Sequence, residues 1–432
     1  MSKIVSVQGR RVWDSRGRPT VEAEICLENG RTGRAIAPSG ASRGTREALE
    51  LRDGGAHLGG LDVRQACANI NGPVTAVLTG MNSTQQGEID AALLSLDSST
   101  LKETIGGNAL VAASLAALHA GAAAKAVPVW QHIATLYGTT PSLPLPEIQI
   151  FGGGAHAGRR VDVQDFMVMV PGASSFDEVM EVTREVYFAA GDLMAAKGKA
   201  AGIADEGGWW PLFDSNEEAL ETLTLAIERA GESPGKNVVI SLDIAASEFG
   251  KDGIYRLALE DRELSSEAFI DLLGRWLDAY PIVSIEDPLA EDDKDGMIAF
   301  TKRFGDQLQI IGDDYLVTND GLVRAAIDDK AANAVLIKVN QIGTVSEAVK
   351  TFTTARKAGW QTIVSARSGE TEDASISHLA VGLGAGQLKV GSFQRSERMV
   401  KWNECLRIQD QLGVDQFVAG QPLQNSWWGK HR

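Results

Sequence analysis

The pattern of apolar positions changes once along the chain, near residue 139. Before that point, apolar residues alternate with polar ones over 20–38, and the alternation turns back at Asn29–Gly30. Alternation of period two around an Asn-Gly pair predicts a β-hairpin. Segments with helical spacing follow it, at 45–52, 63–78 and 108–126. Strands followed by helices indicate an α+β unit.

From residue 139 onward, short apolar runs alternate with amphipathic helical segments. The stretch 139–150 carries three prolines, and we place a domain junction there. Strands and helices that alternate at this spacing are typical of a (β/α)8-type barrel. We therefore predict an α/β protein, with an α+β domain over 1–138 and a barrel over 139–432.

Six apolar runs of the second part end in polar side chains. In chain order these are Asp243, Glu286, Asp313, Lys338, Ser365 and Lys389. The C-terminal ends of barrel strands meet at one mouth, so we expect these side chains to lie together. Three converging carboxylates repel one another unless a cation offsets their charge, and their hard oxygen atoms favour Mg²⁺. Because the set contains neither His nor Cys, zinc is not expected.

The two lysines of this set suggest a chemistry. We expect burial and neighbouring cations to lower the pKa of Lys338, so that it can act as a base. Lys389 would hold a carboxylate of the substrate. Glu206 stands in a glycine-rich loop, and loops at a barrel mouth often carry acids and bases. A metal on carboxylate oxygens together with a lysine base indicates enolate chemistry.

Composition excludes several classes of protein. The chain has 432 residues, 44% of them hydrophobic and 23% charged, as in a two-domain globular protein. Its net charge of −16 argues against nucleic acid or an anionic membrane as partner. The three cysteines are far apart and the N-terminus lacks an apolar signal core, so we expect a cytoplasmic location. The apolar stretch 109–130 is interrupted by His119 and Lys125, which favours a buried helix over a membrane span.

Several longer motifs resemble the enolase (phosphopyruvate hydratase) family. They include "DSRGRPTVEAE", "PSGAS", "EALELRD", "DEGG", "PIVSIEDPL", "LIKVNQIG" and "RSGETED", and they extend from the first strand to roughly residue 407. The resemblance implies an α+β lid domain, a barrel with mixed strand direction at its start, and a homodimer or higher homo-oligomer. It also implies two Mg²⁺ ions per active site, one bound tightly and one bound with the substrate.

The resemblance assigns metal and catalytic roles position by position. The ligands of the tighter Mg²⁺ are matched by Asp243, Glu286 and Asp313. Ser39 matches the lid residue that meets the second ion. Lys338 matches the base that removes the C2 proton of 2-phosphoglycerate, and Glu206 matches the acid that helps hydroxide leave C3 to give phosphoenolpyruvate.

The resemblance also implies contacts with a small anionic phospho-carboxylate. Lys389 matches a lysine near the substrate carboxylate, and Arg367 with Ser368 matches the phosphate-binding pair. Gln164 matches a glutamine near the base, and His156 a histidine of the mobile loop at 152–160.

The chain departs from the family pattern on the side where hydroxide should leave. Ala366, in "SARSGETED", stands where the family has a histidine, and Asp165 stands where it has a glutamate. Both changes would make room in the pocket. Arg43, Arg159 and Arg160 replace neutral residues of the mobile loops and would add positive charge. The metal ligands, the base lysine and the phosphate arginine are retained.

The sequence leaves three hypotheses open. The chain is an ordinary enolase, or a diverged paralogue acting on a phosphonate or a more anionic substrate, as the related carboxyphosphonoenolpyruvate synthase does in phosphonate natural-product metabolism. The third hypothesis is a non-catalytic binding protein on the same scaffold. The retained ligands and lysine speak against the third.

Overall fold

The alternating N-terminal segment forms an antiparallel sheet. In the computed structural model, which describes residues 2–431, this sheet has the order β1 (Ile4–Trp13), β2 (Pro19–Leu27) and β3 (Thr32–Ile36). The alternating apolar residues of β2 are buried, namely Val21, Ala23, Ile25 and Leu27. Gly30, in the turn between β2 and β3, has a φ of +79°, a conformation that favours glycine.

Helices follow the sheet, as the sequence predicted. They are α1 (Arg64–Asn69), α2 (Thr75–Leu78), α3 (Gln86–Ser95), α4 (Gly107–Lys125) and α5 (Val129–Tyr137). A π-helical turn, Ile70–Val74, joins α1 to α2. Within residues 2–431, α4 is the one helix long and apolar enough to cross a membrane, but 83% of that window is buried inside the protein. The helix packs against β2 and β3, so its apolar character belongs to the core.

The prediction of a helix at 45–52 was wrong, because this segment is irregular. Its backbone bonds to other parts of the chain instead of to itself. Ala48 donates its N–H to the carbonyl of Gln341 at 2.8 Å, and Leu49 donates to the carbonyl of Leu101 at 2.6 Å. These tertiary bonds override the local helix propensity. The bond to Gln341 also attaches the segment to the barrel, which positions it at the candidate site.

Thirteen strands follow residue 139 in the part of the chain that the structure describes. They are β4 (Leu145–Gly152), β5 (Asp165–Met169), β6 (Ala200–Ile203), β7 (Trp209–Pro211), β8 (Val239–Asp243), β9 (Gly250–Lys251), β10 (Ile254–Leu257), β11 (Arg262–Ser265), β12 (Ile282–Glu286), β13 (Gln309–Gly312), β14 (Ala334–Ile337), β15 (Gln361–Ser365) and β16 (Gly386–Gly391).

Eight of these strands close a barrel. Their order is β4, β5, β8, β12, β13, β14, β15 and β16, and β16 pairs back onto β4. β5 runs antiparallel to both of its neighbours, whereas the other neighbouring pairs are parallel. β6 and β7 extend the sheet beside β4, and β9 to β11 form a separate small sheet. The predicted α/β fold class, an α+β domain followed by a (β/α)8-type barrel, is confirmed.

Helices alternate with the strands of this domain, and the last two helices follow the final strand, β16. The helices are α6 (Phe176–Ala196), α7 (Asn216–Arg229), α8 (Ser266–Ala279), α9 (Lys294–Phe304), α10 (Asp320–Asp329), α11 (Val339–Ile342), α12 (Val345–Lys357), α13 (Ser375–Leu383), α14 (Ser396–Leu412) and α15 (Trp427–Lys430). α7 shows how the sequence sets a helix start, since Ser215 accepts a hydrogen bond from the N–H of Glu218 at 3.0 Å. These connections leave the C-terminal strand ends to form one mouth.

Candidate active site

Strand pairing brings the polar strand ends together. The register places Glu286 beside Asp243, Lys389 beside Ser365, and Asp165 beside Asp243. Asp313 and Lys338 directly follow β13 and β14. All six side chains that the sequence predicted to converge lie at the C-terminal ends of barrel strands, and all are buried.

Lys389 links three carboxylates at this mouth. Its Nζ lies 2.7 Å from Oδ2 of Asp243, 2.7 Å from Oε2 of Glu286 and 3.6 Å from Oδ2 of Asp165. Burial alone would lower the pKa of Lys389, but the charges of Asp243 and Glu286 outweigh it and raise the pKa well above its ordinary value. Lys389 is therefore a fixed positive charge between carboxylates that belong to three adjacent strands.

Lys338 is paired with Asp313. Its ammonium donates a hydrogen bond to Oδ2 of that carboxylate. Burial lowers the pKa of Lys338, but the charge of Asp313 outweighs burial, and the pKa lies above its ordinary value. The expected direction of the shift was therefore wrong for this structure. The reason is that the close partner of Lys338 is an anion, whereas the expectation assumed neighbouring cations.

The three acids at the mouth suit a hard divalent cation. Oε1 of Glu286 is buried and accepts no hydrogen bond from any residue between 2 and 431. Burial, and next the charge of Asp243, raise the pKa of Glu286 well above its ordinary value. The carboxylate therefore needs more positive charge than Lys389 supplies. An all-oxygen donor set is what Mg²⁺ prefers, so the ligand chemistry of Asp243, Glu286 and Asp313 suits the predicted ion. The carboxylates whose oxygen atoms already lie within 4.8 Å of one another are instead those of Asp287, Asp313 and Asp314.

Asp287 orients the neighbouring acidic pair. Its carboxylate accepts the backbone N–H of Asp313 at 2.9 Å and that of Asp314 at 2.7 Å. Oxygen atoms of Asp287, Asp313 and Asp314 lie within 4.8 Å of one another. Burial and the charge of Asp313 raise the pKa of Asp287 to about 8. Asp287 thus fixes the backbone that carries Asp313.

A second buried cluster consists of His156, Asp165 and Glu206. Nδ1 of His156 lies 2.9 Å from Oδ1 of Asp165, and Nε2 lies 3.7 Å from Oε1 of Glu206. Burial opposes the charged imidazole, but Asp165 and Glu206 raise the pKa of His156 to about 9. Gln164 joins this cluster to the metal-ligand set, because its amide donates to Oδ2 of Asp243 at 3.0 Å.

Arg367 and Ser368 follow β15 and face the segment 38–47. The Arg367 guanidinium makes two contacts with the carboxylate of Glu47, at 2.8 Å and 3.1 Å. Ser368 Oγ accepts the N–H of Ala41 at 2.8 Å. Burial opposes the charge of Arg367, but Glu47 more than compensates and raises its pKa above the ordinary value. The guanidinium is therefore buried and charged at the edge of the mouth.

Comparison with protein families agrees with this architecture. Residues 4–133 match the family model described as "Enolase, N-terminal domain". Residues 140–426 match the one described as "Enolase, C-terminal TIM barrel domain". The chain belongs to the enolase family. As an enolase-family protein it combines both domains of that family in one polypeptide, and the strand-end residues described above lie in the second.

Ala366, the departure from the enolase pattern, lines the central cavity. The lining of this cavity includes Ser42, His156, Gln164, Asp165, Glu206, Asp243, Lys338, Ala366, Arg367, Ser368 and Lys389. Nine of the predicted site residues are thus near one another. The cavity has a volume of only about 20 Å³, which is room for roughly one water. The extra room expected from Ala366 and Asp165 is therefore small in this conformation.

Six predicted residues lie outside that lining. Two of them, Glu286 and Asp313, are buried at strand ends, where they contact Lys389 and Lys338. The other four are Ser39, Arg43, Arg159 and Arg160. Ser39 is buried, and its hydroxyl contacts Glu50 at 3.0 Å. Arg43 is exposed. Arg159 pairs with Glu248 and Arg160 with Asp214, and neither arginine lines the cavity. The structure does not bring these three arginines together with the strand-end cluster.

The sequence reasoning missed Glu47, Gln341 and Asp287 as members of the site. Glu47 was placed on a helix that does not form, so the direction in which its side chain points could not be predicted. Gln341 lies four residues beyond the end of β14, in α11, and its amide donates to Oδ1 of Asp313 at 2.8 Å. Asp287 follows Glu286 directly, and this repetition of acids at a strand end was the available signal.

Proposed function

We propose that this enolase-family chain is an Mg²⁺-dependent lyase that interconverts 2-phosphoglycerate and phosphoenolpyruvate. The observation that carries the proposal is the position of Lys338. This lysine is buried at the barrel mouth, it contacts Asp313, and it shares the cavity with Arg367 and Lys389. The side chain proposed as the base thus lines the same cavity as groups suited to a carboxylate and to a phosphate.

Each group has a definite part in the proposed reaction. Lys338 accepts the C2 proton on Nζ only as a neutral amine, so the charge of Asp313 that raises its pKa must be offset, as Mg²⁺ held by Asp313 would do. Arg367 and Ser368 hold the phosphate, since guanidinium and hydroxyl groups both donate to its oxygen atoms. Lys389 orients the substrate carboxylate. Mg²⁺, when held by Asp243, Glu286 and Asp313, would neutralise the negative charge that develops on this carboxylate.

The cluster of His156, Asp165 and Glu206 would assist the departure of hydroxide. Glu206 donates a proton to the departing oxygen at C3. The imidazolium of His156 lies 3.7 Å from Glu206 and can supply that proton again. Asp165, at 2.9 Å, keeps His156 charged and fixes the orientation of its ring.

A second candidate is a diverged paralogue that keeps proton abstraction but acts on a phosphonate analogue or a more anionic substrate. The position of Ala366 favours it. Ala366 lines the cavity beside His156, Asp165 and Glu206, where the resemblance places an additional imidazole. Without that imidazole, one polar group that could assist the departure of hydroxide is missing, whereas the groups proposed for proton abstraction at C2 are all present.

The experiment measures two steps separately. Phosphoenolpyruvate formation from 2-phosphoglycerate is followed with Mg²⁺, and deuterium exchange at C2 is followed in the same samples. The wild type is compared with Ala366→His and with Lys338→Ala. Dehydration that the histidine does not improve supports an ordinary enolase. Exchange without dehydration supports the diverged paralogue, and the absence of both reactions would favour a non-catalytic protein.

A further inference from the structure

The groups proposed to bind phosphate are already occupied by the lid loop, which we define as residues 38–47. Glu47 takes two N–H groups of Arg367, and the carbonyl of Ser42 takes a third contact at 3.0 Å. Ser368 Oγ is bonded to the N–H of Ala41. Both members of the pair therefore have partners from the protein itself.

The lid loop also lies directly on the guanidinium. A Cβ at Gly40 would stand 2.0 Å from Nη2 of Arg367, so only glycine permits this approach. Ser39 and Gly369 exchange two backbone hydrogen bonds, each of 2.8 Å. The cavity beneath holds about 20 Å³, so a three-carbon phosphate does not fit while the loop keeps these contacts.

Glu47 is the charged element among these lid contacts with Arg367 and Ser368. The others come from backbone groups, whereas Glu47 presents a carboxylate, as a phosphate would present its oxygen atoms. The amide of Gln341 lies 3.3 Å from Glu47 and 2.8 Å from Asp313. Glu47 is therefore connected both to the phosphate arginine and to an expected metal ligand.

We propose that Glu47 is an internal competitor for the phosphate site: its carboxylate neutralises Arg367 until a dianionic phosphate or phosphonate group takes its place on the guanidinium. The inference rests on the proposed function only for the role of Arg367. Competition with Glu47 would let the site select dianionic over monoanionic ligands. A monoanionic carboxylate would gain little by replacing Glu47, whereas a dianion brings a second negative charge to a buried cation.

Glu47→Gln should lower the unfolding temperature of the chain but tighten its binding of phosphate. Without a bound anion, this variant leaves Arg367 buried and unpaired, so it should unfold at a lower temperature than wild type. Bound phosphate would restore the negative charge beside Arg367, and in this variant the phosphate would not have to displace a carboxylate first. We expect the dissociation constant of the variant for inorganic phosphate to be about 10-fold lower than that of wild type.

The test measures inorganic phosphate binding to the full chain in Mg²⁺, by calorimetry and by the phosphate-induced rise in unfolding temperature. Glu22→Gln is the matched control. Glu22 is also a buried carboxylate that pairs with an arginine, Arg10, at 2.6 Å, but it lies in the N-terminal sheet. It should lower the unfolding temperature without changing phosphate affinity.

Glu47→Asp covers the case in which Glu47→Gln fails to fold. It keeps the charge but shortens the reach to Arg367, so it should tighten phosphate binding in the same direction and to a smaller extent. Unchanged or weaker phosphate binding by the folded variants would overturn the role of Glu47. A chain that shows the expected phosphate linkage but neither exchange nor dehydration of 2-phosphoglycerate would refute the proposed function and leave this inference standing.

Discussion

The imidazole of His156 and the carboxylate of Asp165 form a buried pair, with Nδ1 and Oδ1 2.9 Å apart. The pair has a consequence for stability as well as for chemistry. Because Asp165 and Glu206 overcome burial and raise the pKa of His156 to about 9, the folded protein holds a proton that the unfolded chain releases near pH 6.5. The contribution of this proton is complete below about pH 6.5 and is lost as the pH rises through 9.

Asp165→Asn should remove most of this pH dependence. The variant lacks the nearest negative charge, so the pKa of His156 falls and its contribution to the free energy of unfolding, roughly 3 kcal/mol at most, largely disappears. Denaturant unfolding between pH 6 and pH 9.5 measures the slope, and NMR titration of His156 measures the pKa. Asp192→Asn, at an exposed carboxylate, is the control. An unaltered slope in Asp165→Asn would contradict the assignment.

The titration of His132 should give the opposite pH dependence of stability. It is buried in α5, and neither ring nitrogen has a hydrogen-bond partner among residues 2–431. Burial, aided by Lys125, lowers the pKa of His132 to about 4. The unfolded chain therefore binds a proton that the folded protein rejects between about pH 6.5 and pH 4. Stability should fall as the pH falls through this range.

His132→Phe should flatten the acid limb of the stability profile, since phenylalanine does not titrate. The measurement is the free energy of unfolding at pH 4.5 and at pH 7.5. His57→Gln serves as the comparison, because His57 is exposed. If the difference between the two pH values is the same in His132→Phe as in wild type, burial of this imidazole is not the source of acid sensitivity.

The sequence allowed the barrel and its strand-end chemistry to be predicted because both follow from local pattern. Apolar runs that end in Asp243 or Lys338 identify the strands and their functional ends, and parallel pairing then aligns these ends. The partners of Arg367 could not be predicted in this way. Glu47 is 320 residues away in the chain, and it reaches Arg367 through an irregular segment whose conformation tertiary bonds determine.

Lys338→Ala should abolish deuterium exchange at C2 of 2-phosphoglycerate. Lysine general-base catalysis typically contributes roughly 10²–10⁴-fold, and no other amine in the cavity lining contacts Asp313 within residues 2–431. Exchange is followed by NMR in deuterated buffer. Lys350→Ala removes an exposed lysine that pairs with Asp320 and should exchange normally. Exchange at the wild-type rate in Lys338→Ala would show that another group is the base.

Mg²⁺ should stabilise the folded chain, and Glu286→Gln should reduce this effect. One ion at 100 times its dissociation constant adds about 2.7 kcal/mol. Because burial and Asp243 disfavour the charged form of Glu286, the glutamine variant should be at least as stable as wild type without Mg²⁺. It should gain less when Mg²⁺ is added.

The measurement is the unfolding temperature with Mg²⁺ and with a chelator. Glu372→Gln, at an exposed position in the same domain, should keep the full response. A full Mg²⁺ response in Glu286→Gln would remove Glu286 from the proposed ligand set.

Ala366→His should destabilise the chain even if it improves catalysis. Ala366 is 6% exposed, and the cavity beside it, of about 20 Å³, is too small for an imidazole without movement of its neighbours. Overpacking of this kind typically costs about 1–3 kcal/mol. Denaturant unfolding measures the loss, and Ala366→Ser, which adds a single oxygen atom, should lose less. If Ala366→His is as stable as wild type, the loops around the cavity yield readily, and the small volume seen here does not limit the size of the substrate.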